Sequence, residues 1–222
     1  MKTKTKRQIA LVAGLVAWLV AVWLLWWSPV IYPLKLFVVL LHEASHAGMA
    51  LATGGHVQRI VLAPDQGGVC YCPGGNAFLV LSAGYLGSLF WGGVILMLAR
   101  ARRPAPRNTT TLIGVAVLLL TALYVRNTFG VLFGALFGAA LVALRSAGRT
   151  AHVLVLTALG LTSALYALLD IKSDILDRPY LRSDARMLAE MTGVPTVVWG
   201  FVWIGLGLAV SWWLFRRALQ RA

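Results

Sequence analysis

The chain has 222 residues, of which 59% are hydrophobic and only 12% charged, and its net charge is +13. Soluble domains are about 25% charged, so a water-soluble fold of this size would leave too much apolar surface in contact with water. The basic residues lie mostly in short runs at the ends of apolar segments, where they anchor and orient membrane helices. This placement argues against a nucleic-acid partner, and we expect an integral protein of the lipid bilayer.

Seven apolar runs follow one another along the chain, and five of them have the length and composition of a helix that spans a membrane. They cover residues 9–27, 30–52, 76–98, 112–125, 129–144, 151–170 and 197–215. The first run follows a basic tail, but it is long enough to span and no small-residue cleavage site follows it, so we interpret it as a retained helix. The fourth and fifth runs are short, and we expect either a tilted pair or a hairpin that does not cross fully.

The segment after the second run has a different pattern. His56–Leu62 and Val69–Cys72 are rich in β-prone residues, and the turn residues between them predict a β-hairpin. The prediction is therefore an all-α polytopic membrane protein with about six or seven transmembrane helices and a small β-hairpin, forming one domain over residues 1–222. Asn127, between the fourth and fifth runs, is expected at a solvated loop tip, or facing a substrate carbonyl if that region folds inward.

The second run contains His42-Glu43-Ala44-Ser45-His46. Two histidines four residues apart lie on one face of a helix and can bind one Zn²⁺. Zinc lowers the pKa of a bound water to about 7, and Glu43 is placed to act as general base on that water and then as acid to the leaving amine. A carboxylate within a membrane helix is costly, which favours a functional role.

A catalytic zinc needs a third protein ligand, and the sequence offers several acids for it. The second and sixth runs are predicted to be parallel, so their later halves share one depth in the membrane. Asp170 ends the sixth run at that depth, and we predict that it is the third ligand. Asp174, one turn further along, is the alternative ligand or an outer partner that orients one. Asp177 and Asp184 are expected to be solvated in the long polar loop 171–195.

At this point the chain resembles a known family. Leu41-His-Glu-Ala-Ser-His-Ala47, Thr53-Gly-Gly55, the hairpin and Ser82-Ala-Gly-Tyr-Leu-Gly87 are similar to the site-2 protease-like intramembrane zinc metallopeptidases, and closest to their smaller B-like branch. The resemblance continues through Leu168–Asp170, Ser183–Ala185 and Val198-Trp199. It implies a helical bundle with zinc inside the membrane and cleavage of a peptide bond in a transmembrane substrate. Better-known members carry Asp-Gly where this chain has Asp170-Ile171.

The expected function is that of an intramembrane zinc endopeptidase acting on membrane protein substrates, in the plasma membrane of a prokaryote. One alternative is a membrane protein that binds zinc and partners without proteolysis, but Glu43 argues against it because a structural zinc site needs no general base. Another is a transporter with zinc as cargo or regulator, which would place acids and histidines along a path. Finally, the hairpin is predicted to lie near the Gly54 end of the motif helix. There, either a free strand edge pairs with substrate or the hairpin only plugs the bundle.

Overall fold

The computed structural model describes residues 3–25, 28–102, 104–177 and 182–221. These residues form eight α-helices and one antiparallel two-stranded sheet, which confirms the predicted bundle and hairpin. The elements are α1 (Thr3–Leu24), α2 (Tyr32–Ala52), β1 (Arg59–Leu62), β2 (Gly68–Tyr71), α3 (Ala77–Ala99), α4 (Ala105–Tyr124), α5 (Thr128–Ala143), α6 (Arg149–Lys172), α7 (Asp184–Thr192) and α8 (Thr196–Arg221). Residues 26 and 27, which end the first predicted span, lie outside the described residues, as do residues 178–181 of the predicted polar loop.

Within the described part of the chain, five helical stretches are long and apolar enough to cross a membrane. They are α2, α3, α4, Thr128–Ser146 and Arg149–Ile175, and shorter apolar stretches occur in α1 and α8. Large apolar side chains cover outward faces, including Leu112, Leu119 and Leu123 on α4 and Phe201 on α8, which is 72% exposed. A surface of this kind is stable in lipid and not in water. The protein is therefore an integral membrane protein.

Small residues allow the central helices to approach each other closely. A Cβ atom on Gly92 of α3 would lie 2.9 Å from the carbonyl oxygen of Gly160 on α6. A Cβ atom on Gly87 of α3 would lie 2.3 Å from the hydroxyl of Ser45 on α2. Helix association in membranes depends on this close packing because lipid offers no hydrophobic driving force between helices. Helix α3 is thus held against both α2 and α6.

Contacts at the helix ends fix the directions of these helices. The backbone N–H of Asn76, just before α3, donates to the hydroxyl of Thr53, just after α2, over 3.0 Å. At the other end of α3, Arg149 of α6 donates to the carbonyl of Ala101 over 3.1 Å. Helices α2 and α6 are therefore both antiparallel to α3 and run in the same direction, as the sequence predicted.

The hairpin lies along α2. Its strands pair from Arg59 opposite Tyr71 to Leu62 opposite Gly68. The hydroxyl of Tyr32, the first residue of α2, donates to the carbonyl of Pro64 in the hairpin turn over 2.6 Å. The sequence predicted a hairpin near the Gly54 end of α2. The hairpin does begin there, but eight residues of extended chain cover about 26 Å, so its turn reaches the start of α2.

The tip between α4 and α5 completes the sheet. The N–H of Arg126 donates to the carbonyl of Ile60 over 3.1 Å. The Asn127 side chain accepts from the N–H of Leu62 over 3.1 Å and donates to the Leu62 carbonyl over 2.6 Å. The expectation of a solvated tip is wrong, because the half-buried Asn127 amide replaces a strand partner of β1. Strand β1 is consequently bonded along both edges, by β2 and by this tip.

The polar loop predicted over residues 171–195 contains more structure than expected. A π-helical turn, Ser173–Asp177, follows α6, and α7 comes after it. The hydroxyl of Ser183 caps α7 by accepting from the N–H of Arg186 over 3.3 Å, and the helix ends at Gly193, which has a left-handed φ of 73°. Both end signals are typical of helix termini. Ala185 and Leu188 are buried, so α7 packs against the bundle.

Candidate metal centre

Helix α2 presents both histidines of the motif to one side. The rings of His42 and His46 are 4.7 Å apart between centroids. Nδ1 of His46 lies 2.7 Å from the carbonyl oxygen of Val80. Since a carbonyl only accepts, this nitrogen carries the proton and the lone pair of Nε2 is left available. A hydrogen bond of this kind orients histidine for metal binding.

An aspartate from the other end of the sequence meets the two histidines. Oδ2 of Asp184 lies 3.0 Å from Nε2 of His42 and 3.1 Å from Nε2 of His46. The Asp184 side chain is only 13% exposed, so the expectation that it is solvated is wrong. Burial acts to raise the pKa of this carboxyl, but the adjacent histidine rings outweigh burial and hold the pKa well below its usual range. Asp184 is the first residue of α7.

Asp170, the ligand that the sequence analysis predicted, lines the same pocket. It does not belong to the group whose ligand atoms converge, which consists of His42, His46 and Asp184. Asp174, the predicted alternative, accepts a hydrogen bond from the hydroxyl of Tyr85. The assignment of Asp170 as a ligand stays a prediction, and the geometry favours Asp184.

The group fits a zinc ion. Its three ligand atoms lie within 4.8 Å of one another. Two ligands that are each 2.1 Å from a tetrahedral zinc lie about 3.4 Å apart, and two imidazoles with a carboxylate form a common donor set for zinc. Gly84 of α3 leaves the necessary space, because a Cβ atom there would lie 2.2 Å from Nε2 of His42 and 2.6 Å from Nε2 of His46.

Glu43 lies beside this group and under β2. It is 5% exposed. A Cβ atom on Gly68 of β2 would lie 2.6 Å from Oε1 of Glu43, and the backbone N–H of Cys70 faces the same carboxylate. The catalytic residue predicted from the sequence is therefore covered by strand backbone rather than by a side chain.

A pocket of about 630 Å³ opens in front of these residues. It lies between α2, strand β2, α3, the end of α6 and the start of α7, and it contains the side chains of His42, Glu43, His46, Asp170, Asp174 and Asp184. The chain's two cysteines, Cys70 of β2 and Cys72 just after it, also line the pocket, with their sulfur atoms in contact. Water and a peptide segment can both be accommodated in a polar cavity of this size.

A His-Glu-x-x-His helix and an aspartate that converge inside a bundle of membrane-spanning helices define a membrane-embedded metallopeptidase. The comparison of sequences agrees with this class. The chain matches the family described as Peptidase M50B-like over residues 15–214, and it belongs to that family. The resemblance to the B-like branch of the site-2 protease-like metallopeptidases is thereby confirmed. No curated protein and no solved structure matches the chain.

Proposed function

We propose that the protein is an intramembrane zinc endopeptidase that hydrolyses peptide bonds of membrane protein substrates. The observation that carries this proposal is the convergence of His42, His46 and Asp184 beside Glu43 in one internal pocket. A purely structural zinc site is usually closed by four protein ligands, whereas three protein ligands leave a position open for catalysis. Strand β2 covers Glu43 on one side of this pocket, and an extended strand beside the base suits the pocket to a peptide substrate.

His42, His46 and Asp184 would hold the zinc ion. When bound, the ion supplies Lewis acidity that lowers the pKa of a water molecule and polarises the substrate carbonyl. The bond from His46 to Val80 keeps the ring of His46 in the required orientation and tautomer. Gly84 keeps the space between the two imidazoles clear of side-chain atoms.

Glu43 carries the proton through the reaction. Its carboxylate takes a proton from the attacking water and delivers it to the nitrogen of the scissile peptide, so that the amine leaves uncharged. The carboxylate is buried and covered by β2, which excludes bulk water from the proton being transferred. The pocket must still admit one water molecule, and its acidic lining favours a hydrated interior.

The outer edge of β2 is suited to receive the substrate. Leu62 directs its N–H and carbonyl away from β2 and towards Asn127. Gly68 is the antiparallel partner of Leu62, and Cys70 is the partner of Ile60. In this register, the N–H and carbonyl groups of Gly68 and Cys70 point away from β1. The N–H of Cys70 lies against the Glu43 carboxylate at this edge. An unwound substrate that adds to β2 as a strand would therefore pass in front of the metal group.

Proline scanning tests this strand addition. Cys70→Pro removes an outward N–H, and we expect normal β1–β2 pairing with cleavage reduced about tenfold or more. Val69→Pro, whose N–H points towards β1, is the matched variant that disturbs the hairpin itself. Prolines at Ile60 or Leu62 are unsuitable because both side chains are fully buried. Normal cleavage by a folded Cys70→Pro protein would refute strand addition.

The proposed function is tested on the purified protein in detergent or lipid. The wild type is expected to contain one zinc ion per chain and to cleave a labelled transmembrane peptide that contains helix-weakening glycine and proline. His42→Ala should lose both zinc and cleavage, whereas Glu43→Gln should keep zinc and lose cleavage by about 100-fold or more. Cleavage by Glu43→Gln at the wild-type rate would refute the mechanism. Zinc without cleavage of any such peptide would favour a zinc-binding membrane protein that is not a protease.

A further inference from the structure

Tyr85 occupies a central position behind the metal group. It follows Gly84 on α3, is 2% exposed and lines the pocket. Its ring meets the ring of His42 edge to face, with 5.0 Å between centroids and an interplanar angle of 85°. Its hydroxyl donates a hydrogen bond to Oδ2 of Asp174. One side chain therefore contacts a histidine of α2 and the π-helical turn after α6.

The same tyrosine belongs to the buried cluster on which α7 packs. The cluster contains Tyr85 with Ile171, Ile175, Ala185, Leu188 and Trp203. Ala185 follows Asp184 directly, and Leu188 lies one helical turn from it, so the helix face beside the aspartate is the one buried here. The ring of Trp203 on α8 lies 4.9 Å from the Tyr85 ring.

The π-helical turn gives the hydroxyl its partner. Helix α6 ends at Lys172, and the chain continues as a π-helix over Ser173–Asp177, which contains both Asp174 and the clustered Ile175. Single π-turns are uncommon, and they often occur where a side chain must be directed into a functional site. The hydrogen bond from Tyr85 to Asp174 holds this π-helical segment against α3. The same segment forms part of the surface on which α7 packs.

We propose that Tyr85 is a positioning residue of the metal centre. Its ring fixes the orientation of His42, and its hydroxyl, through Asp174, fixes the surface on which α7 presents Asp184. Tyr85 thus couples the two ligands that come from opposite ends of the sequence. This inference rests on the proposed function for the identity of the metal, whereas the packing of α7 on the Tyr85 cluster can be tested in the zinc-free protein.

The decisive variant is Tyr85→Phe, which keeps the ring and removes only the hydroxyl. The first measurement is the rate of zinc release from the purified protein to an excess of chelator. We expect release about tenfold faster or more, since loss of an outer partner weakens metal sites by about 10–100-fold. The Co²⁺-substituted protein should also show a changed visible absorption spectrum. Tyr124→Phe, at a partly buried tyrosine of α4 in the other core cluster, is the matched control and should match the wild type.

A second measurement is made on the zinc-free protein. Hydrogen exchange of the α7 amides should be faster in Tyr85→Phe than in the wild type and Tyr124→Phe. Asp174→Ala should reproduce the faster exchange. Asp174→Asn should exchange almost as slowly as the wild type, because its amide oxygen still accepts the hydrogen bond. The double variant Tyr85→Phe/Asp174→Ala should exchange little faster than either single variant.

Unchanged zinc release and unchanged α7 exchange in Tyr85→Phe would overturn the inference. Equal effects of Tyr85→Phe and Tyr124→Phe, or fully additive effects at Tyr85 and Asp174, would overturn it as well. A wild-type protein that binds no zinc would instead refute the proposed function, and α7 exchange would then test the inference alone.

Discussion

The candidate metal centre has two halves that are built in different ways. In the α2–α3 half, His42 and His46 lie one turn apart on a continuous helix, and Gly84 and Val80 meet them from the adjacent helix. In the α7 half, Asp184 arrives 142 residues after His42, on a nine-residue helix that is held by packing. The first half is preorganised by helix geometry. The second depends on contacts between distant segments, so it is the half in which substitutions at a distance should alter metal binding.

The largest effect should come from the ligand of the α7 half. We expect Asp184→Ala to weaken zinc binding by more than the roughly 100-fold that loss of an outer partner costs, because the proposed metal ligand is removed and the two imidazoles lose their anionic neighbour. Asp170→Ala should stay within about tenfold of the wild type. Zinc content after equilibrium dialysis measures both. The opposite ranking would return the third ligand to Asp170.

In the α2–α3 half, a methyl group should be enough to disturb the site. Gly84→Ala places a Cβ atom close to the Nε2 atoms of both histidines, and overpacking of about 1–3 kcal/mol corresponds to zinc binding that is about 5–150-fold weaker. Gly48→Ala on α2 is the control, because a Cβ atom there meets nothing within 4 Å. If both variants bind zinc equally well by competition with a chromogenic chelator, the space in front of the histidines is not the metal site.

A third variant separates metal binding from proton transfer. Gly68→Ala forces β2 away from the Glu43 carboxylate without approaching the histidines, so zinc content should stay normal while cleavage of the transmembrane peptide falls about tenfold. The comparison uses zinc analysis and initial rates on the same preparation. A loss of zinc that parallels the loss of cleavage would show that β2 supports the metal group rather than the base.

The smallest effect is expected at the cap of α7. Ser183→Ala removes the hydroxyl that accepts from Arg186, which should cost about 1 kcal/mol and weaken zinc binding about fivefold. Ser183→Gly should cost only a few tenths of a kcal/mol, because glycine is tolerated at this position. Isothermal titration with zinc distinguishes the two variants. Identical affinities for Ser183→Ala and the wild type would mean that α7 is held by its packing alone.

Sequence reasoning identified the half of the site that follows local rules. The spacing of His42 and His46 predicts a shared helix face, and the turn residues after β1 predict the hairpin, so both were found. The parallel course of α2 and α6 also explains why Asp170 lines the pocket. The aspartate that meets the histidines was missed because its position results from long-range packing. One local signal was present, since Ser183 and Gly193 mark the two ends of a short helix that starts with Asp184.

The inward position of Asn127 was missed for a related reason. Its partners, the N–H and carbonyl of Leu62, lie 65 positions earlier in the chain, and a polar residue between two apolar runs is most simply interpreted as a loop tip. Only the fold shows that the α4–α5 tip closes the free edge of β1. The strand edge left for the proposed substrate is consequently that of β2, which strand periodicity alone cannot distinguish from β1.

The closure of β1 by a later segment also has a consequence for assembly in the membrane. The hairpin emerges from the ribosome before α4 and α5, yet it lies along a membrane-spanning helix, where unpaired backbone groups cost several kcal/mol each. The hairpin can therefore settle beside α2 only after the tip carrying Arg126 and Asn127 has been synthesised and inserted. Until then, its peptide groups must remain with water or with the insertion machinery. The order of insertion should leave the pocket incomplete until most of the chain has entered the bilayer.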